Sequence, residues 1–426
     1  MVSLGARAAD FQIHDGDRVV FLGDSITEQR LYTTYIEAYA LTRHPNWKLS
    51  FRNVGWGGDT AWLRQRAHPD EKQLFDADEA RQQKMVNDSV GRGLERDVLP
   101  FKPTLVTVKF GMNDHSYQAF REDIFRAYAR SQTQIAKVLG EHGARVVFLT
   151  PQPIEEKRAD PDKDVRNQSL RKFSDGLKEV AAKNNAAFVD QFDPYMAMLL
   201  RERAGNPAGF VGAGDAVHPG PIGHTVMAWA VLKGMGATAE VSRAEIDATA
   251  QKVTAANGCS VQNVKMMNGG GISFERLDEA LPMPIDERAE TALKLAPISE
   301  ELNRLELRVA GLPAGNYEVM IDGEPAGKTS AEELATGWNY SNAGGPITKQ
   351  SREILKLVFD KNNIYFRRWR EVQLYSFPPW AQGPETEAKR EAEVARLDRE
   401  IARKEEQINL ARKPVSHRFQ ITRLAQ

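Results

Sequence analysis

The chain is 426 residues long and almost without cysteine: Cys259 is the only one. A disulfide within the chain is therefore impossible and a thiolate-held zinc is unlooked for. Long apolar runs are also missing. No stretch approaches the roughly 18 apolar residues of a membrane span, so none is expected. Charge of one sign is absent as well. With 57 Lys and Arg against 58 Asp and Glu, the formal net charge of -1 gives no reason to expect nucleic acid or an anionic membrane as partner. At this length, two or three compact units are expected. Ala6-Arg7-Ala8 has the small-x-small form that ends an export signal, but no apolar core precedes it. The two readings are a secreted or periplasmic protein with a truncated signal, or a cytoplasmic one with an N-terminal tail.

What is present is an alternation of strand and helix from Arg18 to about Gly236, the pattern of a parallel sheet covered by helices. Strands are expected at 18–22, 49–54, 104–110, 145–150 and 186–189. Helices are expected at 32–42, 87–99, 117–139, 164–184, 194–203 and 223–233, with the polar stretch 64–86 as a surface excursion. Beyond 236 the composition changes. Strands are expected at 305–309 and 317–321, with a hairpin turn at Asp322-Gly323. Gly327-Lys328-Thr329 resembles the end of a phosphate loop, but the first glycine of that motif would fall on Asp322, so the hairpin reading stands. Helices at 348–374 and 385–413 flank Pro378-Pro379, and Val415, His417, Phe419 and Ile421 alternate as a last strand. In the second helix Lys404 interrupts the apolar series of Val394, Leu397, Ile401 and Ile408, which favours a helical hairpin packed within the chain over a dimer seam. The expected division is an α/β domain over 10–236, a β-rich domain over 237–345, and over 346–426 a helical hairpin whose final strand returns to the β-rich part.

Four stretches carry the chemistry. RVVFLGDSIT (18–27) breaks from a buried strand at Gly23-Asp24 and delivers Ser25 at the strand's carboxyl end, where open α/β sheets bind ligands. NVGWGGDT (53–60) follows the second strand, and FGMND (110–114) places Asn113 after the third. GDAVHPG (214–220) sets Asp215 three residues before His218. Together they supply a hydroxyl, an imidazole with a carboxylate, and donors for an oxyanion, the parts that acyl transfer needs. Asp24 reads as a turn acceptor, Gly55 and Gly57 as turn formers, Asp59 and Asp114 as backbone ligands, and His115 and His224 as surface or core histidines.

These four motifs, in this order, resemble the SGNH hydrolases, also called the GDSL family of esterases and lipases. Ser25, Gly58, Asn113 and His218 with Asp215 match the family's marks, with Ile26 in place of the leucine of the name-giving motif. The resemblance covers about the N-terminal half. It implies a flavodoxin-like three-layer α/β/α domain, here followed by the β-rich domain and helical hairpin. It also implies a Ser25–His218–Asp215 triad, and an oxyanion hole of the Ser25 and Gly58 N–H groups plus the Asn113 amide, with neither metal nor other cofactor. The expected reaction is ester hydrolysis through an acyl-serine, with a small acyl group such as acetyl leaving a carbohydrate or other polar substrate. Trp56, Trp338 and Tyr340 are candidates to stack on a sugar ring. The alternatives are a lipase or thioesterase, a metal-dependent phosphoesterase using Asp24, Asn113, Asp215 and His218 as ligands, and a non-catalytic binding protein.

Overall fold

The computed structural model describes residues 10–157, 160–207 and 209–425. Ala6-Arg7-Ala8 lies outside the described residues, so the export reading has no structural counterpart. The chain divides into two compact units. The first comprises the residues up to Thr33, then Lys48–Ala237 and Arg288–Ala296; the second comprises Thr34–Trp47, Thr238–Glu287 and the residues from Pro297 onward. The helix Leu31–Arg43 begins in the first unit, and the rest of it groups with the second.

The first unit is built on five parallel strands: β1 (Arg18–Gly23), β2 (Ser50–Asn53), β3 (Leu105–Lys109), β4 (Arg145–Leu149) and β5 (Ala187–Val189), in the order β2-β1-β3-β4-β5. This sheet is flanked by helices, as the alternation of apolar strands and amphipathic segments requires. β1 and β3 are central. Val19, Val20, Phe21, Leu22, Leu105, Val106 and Val108 are all buried, and the continuous apolar run follows from burial on both faces. The order reverses direction at β1 and β3, which opens a crevice beyond their carboxyl ends.

Two helix starts differ from the sequence expectation. The helix expected from 87 spans Glu79–Asp97, because the Asp78 carboxylate accepts from the Arg81 N–H and caps it earlier. Within the expected excursion, Arg64–Ala67 and Glu71–Asp76 are short helices. The helix expected from Tyr117 begins at Glu122. Ser116 and Tyr117 take φ of 55° and 54°, left-handed values that a helix cannot include.

The second unit holds two more sheets. Strands β6 (Glu240–Asp247), β7 (Lys252–Asn257), β8 (Cys259–Met267) and β9 (Gly271–Asp278) precede β10 (Arg304–Ala310), β11 (Asn316–Ile321), β12 (Glu324–Ser330), β13 (Trp338–Asn339) and β14 (His417–Arg423). One sheet runs β13-β10-β6-β7, and the other runs β12-β11-β14-β9-β8. Asp322 and Gly323 turn β11 into β12 with φ of 53° and 81°, the left-handed pair of a tight hairpin. The last strand pairs with both β11 and β9. The helix Pro346–Phe366, continued by a wider turn through Gln373, and the helix Pro384–Ala411 form the hairpin between them. The segment Thr34–Trp47 is fixed within this unit. Tyr35 donates to Asp286 at 2.8 Å, Lys361 and Asn362 meet the buried Glu37, and Arg43 donates to the carbonyls of Glu240 and Leu302.

Candidate active site

At the end of β1, Asp24 caps the short helix Ser25–Glu28, its Oδ1 accepting from the Ile26 N–H at 3.0 Å. The capped turn fixes Ser25 just past the strand. The Ser25 hydroxyl lies 2.9 Å from His218 Nε2, and His218 Nδ1 lies 3.0 Å from Asp215 Oδ2. A carboxylate can only accept, so Nδ1 carries the proton and Nε2 is left to accept from the hydroxyl. Asp215 also receives the N–H groups of Val217 at 2.7 Å and His218 at 2.6 Å through Oδ1. Burial pushes its carboxyl up, but these bonds and the imidazole outweigh that and hold it below the usual carboxylate range.

The loops after β2 and β3 meet at the same rim. Gly55 passes so close to the Ser25 helix that a Cβ there would fall 2.3 Å from the Glu28 nitrogen, which is why no side chain is tolerated. Gly58 sits at φ 74°, and its carbonyl accepts from Arg64 Nε at 2.6 Å. Asp59 is buried, accepting from the Gln65 N–H and from Arg66. Asp114 ties the two loops together by accepting from the N–H groups of Ala61 at 2.7 Å and Gly111 at 2.8 Å. Complete burial drives that carboxyl up to about 7. Asn113 is buried between them, its Nδ2 donating to the Asp59 carbonyl at 2.9 Å.

Several residues that position this site gave no sequence signal. Glu155, beyond β4, accepts from the N–H groups of Val211 and Gly212 and from the Tyr195 hydroxyl, and Gln152 donates to the Val217 carbonyl at 2.9 Å. They hold the loop that carries Asp215 and His218. Burial raises the Glu155 carboxyl to about 7. Lys109, the last residue of β3, is buried with Nζ 3.9 Å from Asp24 Oδ1 and no hydrogen-bond partner. Burial lowers its pKa. His224 accepts from the Tyr32 N–H through Nδ1 and donates to Gln29 through Nε2. Its burial brings the imidazole down to about 3, so it is a neutral structural group.

The aromatic candidates divide between the two units. Trp56 is half-buried with the guanidinium groups of Arg66 and Arg96 over its indole at 5.3 and 5.4 Å. Trp338 and Tyr340 belong to the second unit, where both are buried and their rings stack on each other at 5.4 Å. Of the four residues considered as metal ligands, Asp24 is wholly buried at a helix cap and Asp215 is committed to His218. Among the described residues no group of three or more His, Cys, Asp or Glu has the arrangement to hold a metal ion. No helix among them is long and apolar enough to cross a membrane.

Comparison with known proteins places the N-terminal half in a family. Residues 21–226 match the GDSL-like Lipase/Acylhydrolase family. An acetylxylan esterase of Geobacillus stearothermophilus is 27% identical over 236 residues, which cover 53% of this chain and 96% of that protein. Its crystal structure aligns at 22% identity over the same shares with a TM-score of 0.39. A gut microbial diltiazem-metabolizing enzyme is similar along nearly the whole length, with 27% identity, 97% of this chain and 98% of that one covered, and a TM-score of 0.77. The N-terminal half of the chain, carrying Ser25, Asn113 and His218, is a GDSL-like lipase/acylhydrolase domain, and this supports an esterase.

Proposed function

We propose that the protein hydrolyses esters through an acyl-Ser25 intermediate and removes a small acyl group, acetyl foremost, from a carbohydrate or other polar substrate. The observation that carries this reading is the unbroken chain of contacts from the Ser25 hydroxyl to His218 Nε2 and from His218 Nδ1 to Asp215. A serine hydroxyl is a poor nucleophile until its proton has somewhere to go. As Ser25 Oγ attacks the carbonyl carbon, His218 takes the hydroxyl proton and Asp215 stabilises the imidazolium. The tetrahedral oxyanion is met by the N–H groups of Ser25 and Gly58 and by the Asn113 amide. Ser25 is the first residue of its helix, so its N–H has no partner within the helix. His218 returns the proton to the departing alcohol. Water then repeats the attack on the acyl-serine with His218 again as base, releasing the acid and restoring Ser25.

The acyl and alcohol parts of the substrate rest on the relatives. One acts on acetylxylan by its name, and the full-length neighbour metabolises diltiazem. Steady-state kinetics on p-nitrophenyl esters of increasing chain length, followed by acetylated xylo-oligosaccharides and diltiazem, test this. The expected result is a kcat/KM that falls from acetate to longer acyl chains and acetate release from at least one polar substrate. Preference for octanoate or longer esters overturns the small-acyl assignment.

A further inference from the structure

The turn after β3 contains two consecutive residues in the left-handed region, Ser116 and Tyr117. Side chains other than glycine are held there only when the surroundings require it. This turn brings the Tyr117 ring back over its own loop, 5.0 Å from the His115 ring, and its hydroxyl donates to Asn113 Oδ1 at 3.0 Å. The other end of the same amide donates to the Asp59 carbonyl. That carbonyl can only accept, so the amide nitrogen must face it and the amide oxygen must face the phenol. The amide is therefore fixed at both ends, with one N–H used and the second left as a donor. A hydrogen bond received by an amide oxygen draws electron density from the nitrogen and strengthens what its N–H can donate. The phenol stays protonated for this task, its pKa pushed up to about 12 by burial and then by the negative charges of Asp24, Asp114 and Asp215, against the opposing charge of Arg64.

We infer that Tyr117 is a positioning residue for ester hydrolysis: its hydroxyl locks and polarises the Asn113 amide so that the remaining N–H meets the oxyanion. The inference rests on the hydrolase reading of the previous section. It assigns a role to a residue outside the four motifs, and one that acts through Asn113 without touching the substrate.

The test is a double-mutant cycle on the full chain with p-nitrophenyl acetate, using Tyr117→Phe, Asn113→Ala and the two combined. Tyr117→Phe deletes one oxygen from a side chain that is 40% exposed, so the fold is expected to survive. We expect kcat to fall about 3- to 10-fold with KM unchanged, the scale of one neutral hydrogen bond. We also expect no further loss when Tyr117→Phe is added to Asn113→Ala, because the partner through which it acts is gone. The inhibition constant of phenylboronic acid, whose Ser25 adduct carries a tetrahedral anion, should weaken by the same factor as kcat. Multiplicative losses in the double variant, or wild-type kcat and boronate affinity in Tyr117→Phe, overturn the inference. If Asn113→Ala is slowed while Tyr117→Phe is not, the Tyr117 assignment alone falls. Undiminished turnover in Ser25→Ala removes the hydrolase reading and the inference with it.

Discussion

Each unit buries a strand cation against an aspartate, and the two are treated differently. In the second unit every nitrogen of Arg276 has a partner: Nε donates to Asp278 at 2.9 Å, Nη2 to the Ser242 hydroxyl at 2.8 Å and Nη1 to the Glu306 carbonyl at 3.1 Å. In the first unit Lys109 stands 3.9 Å from Asp24 with no hydrogen bond, and Asp24 Oδ2 also lacks one. Burial is common to both; what differs is whether the buried cation is hydrogen-bonded. A matched cation fastens neighbouring strands, whereas a buried one without hydrogen bonds keeps its full desolvation cost.

Substitutions on the two sides of this contrast should separate chemistry from stability. The largest effect is expected from Ser25→Ala or His218→Ala, which should lower kcat on p-nitrophenyl acetate by on the order of 10³-fold or more with the melting temperature nearly unchanged. Arg276→Met should do the reverse. It strands Asp278 without its partner and should cost about 3 kcal/mol of stability in urea unfolding, with kcat of the folded fraction within about two-fold. A large kcat loss in Arg276→Met would erase the distinction. Asn113→Ala comes next, with kcat down about 10²-fold if its amide serves the oxyanion; an unchanged rate would exclude it as a donor.

A smaller effect is expected from pH. Asp114 and Glu155 hold their protons up to about 7 in the folded chain, against about 4 in an unfolded one. The folded state therefore binds more protons between these values, and stability should fall as pH rises from about 4 to about 7. Thermal unfolding across that range should show the decline, and Asp114→Asn and Glu155→Gln should each remove part of it. A melting temperature that climbs over this window in the wild type, with the same slope in both variants, would contradict the burial of these carboxyls.

How much of this was legible in the sequence follows from where each signal is stored. The five strands of the first unit, and the meeting of Ser25, His218 and Asp215, are legible because apolar runs end in short motifs that are local in the chain. Glu155 and Gln152 were not, since each holds a loop about 55 to 65 residues away and isolated Glu and Gln carry no pattern. Lys109 falls inside the expected strand 104–110 without any signal of its own, and only the fold shows it to be buried. The expected helix from Tyr117 failed because helix propensity says nothing of a side chain turned back onto Asn113. In the second unit none of β6 to β9 is among the expected strands; β7 and β8 are mostly exposed, which weakens the apolar alternation that reveals a strand, whereas β6 and β9 do alternate in burial.

If Ser25 is a nucleophile activated by His218, a reagent that captures activated serines should find it. Incubation of the full chain with a fluorophosphonate, followed by intact-mass measurement and peptide mapping, should show one adduct per chain, located on Ser25. Labelling should be much slower in His218→Ala and absent in Ser25→Ala. Adduct formation on another residue, or labelling of Ser25 at the same rate without the imidazole, would show that His218 does not activate Ser25.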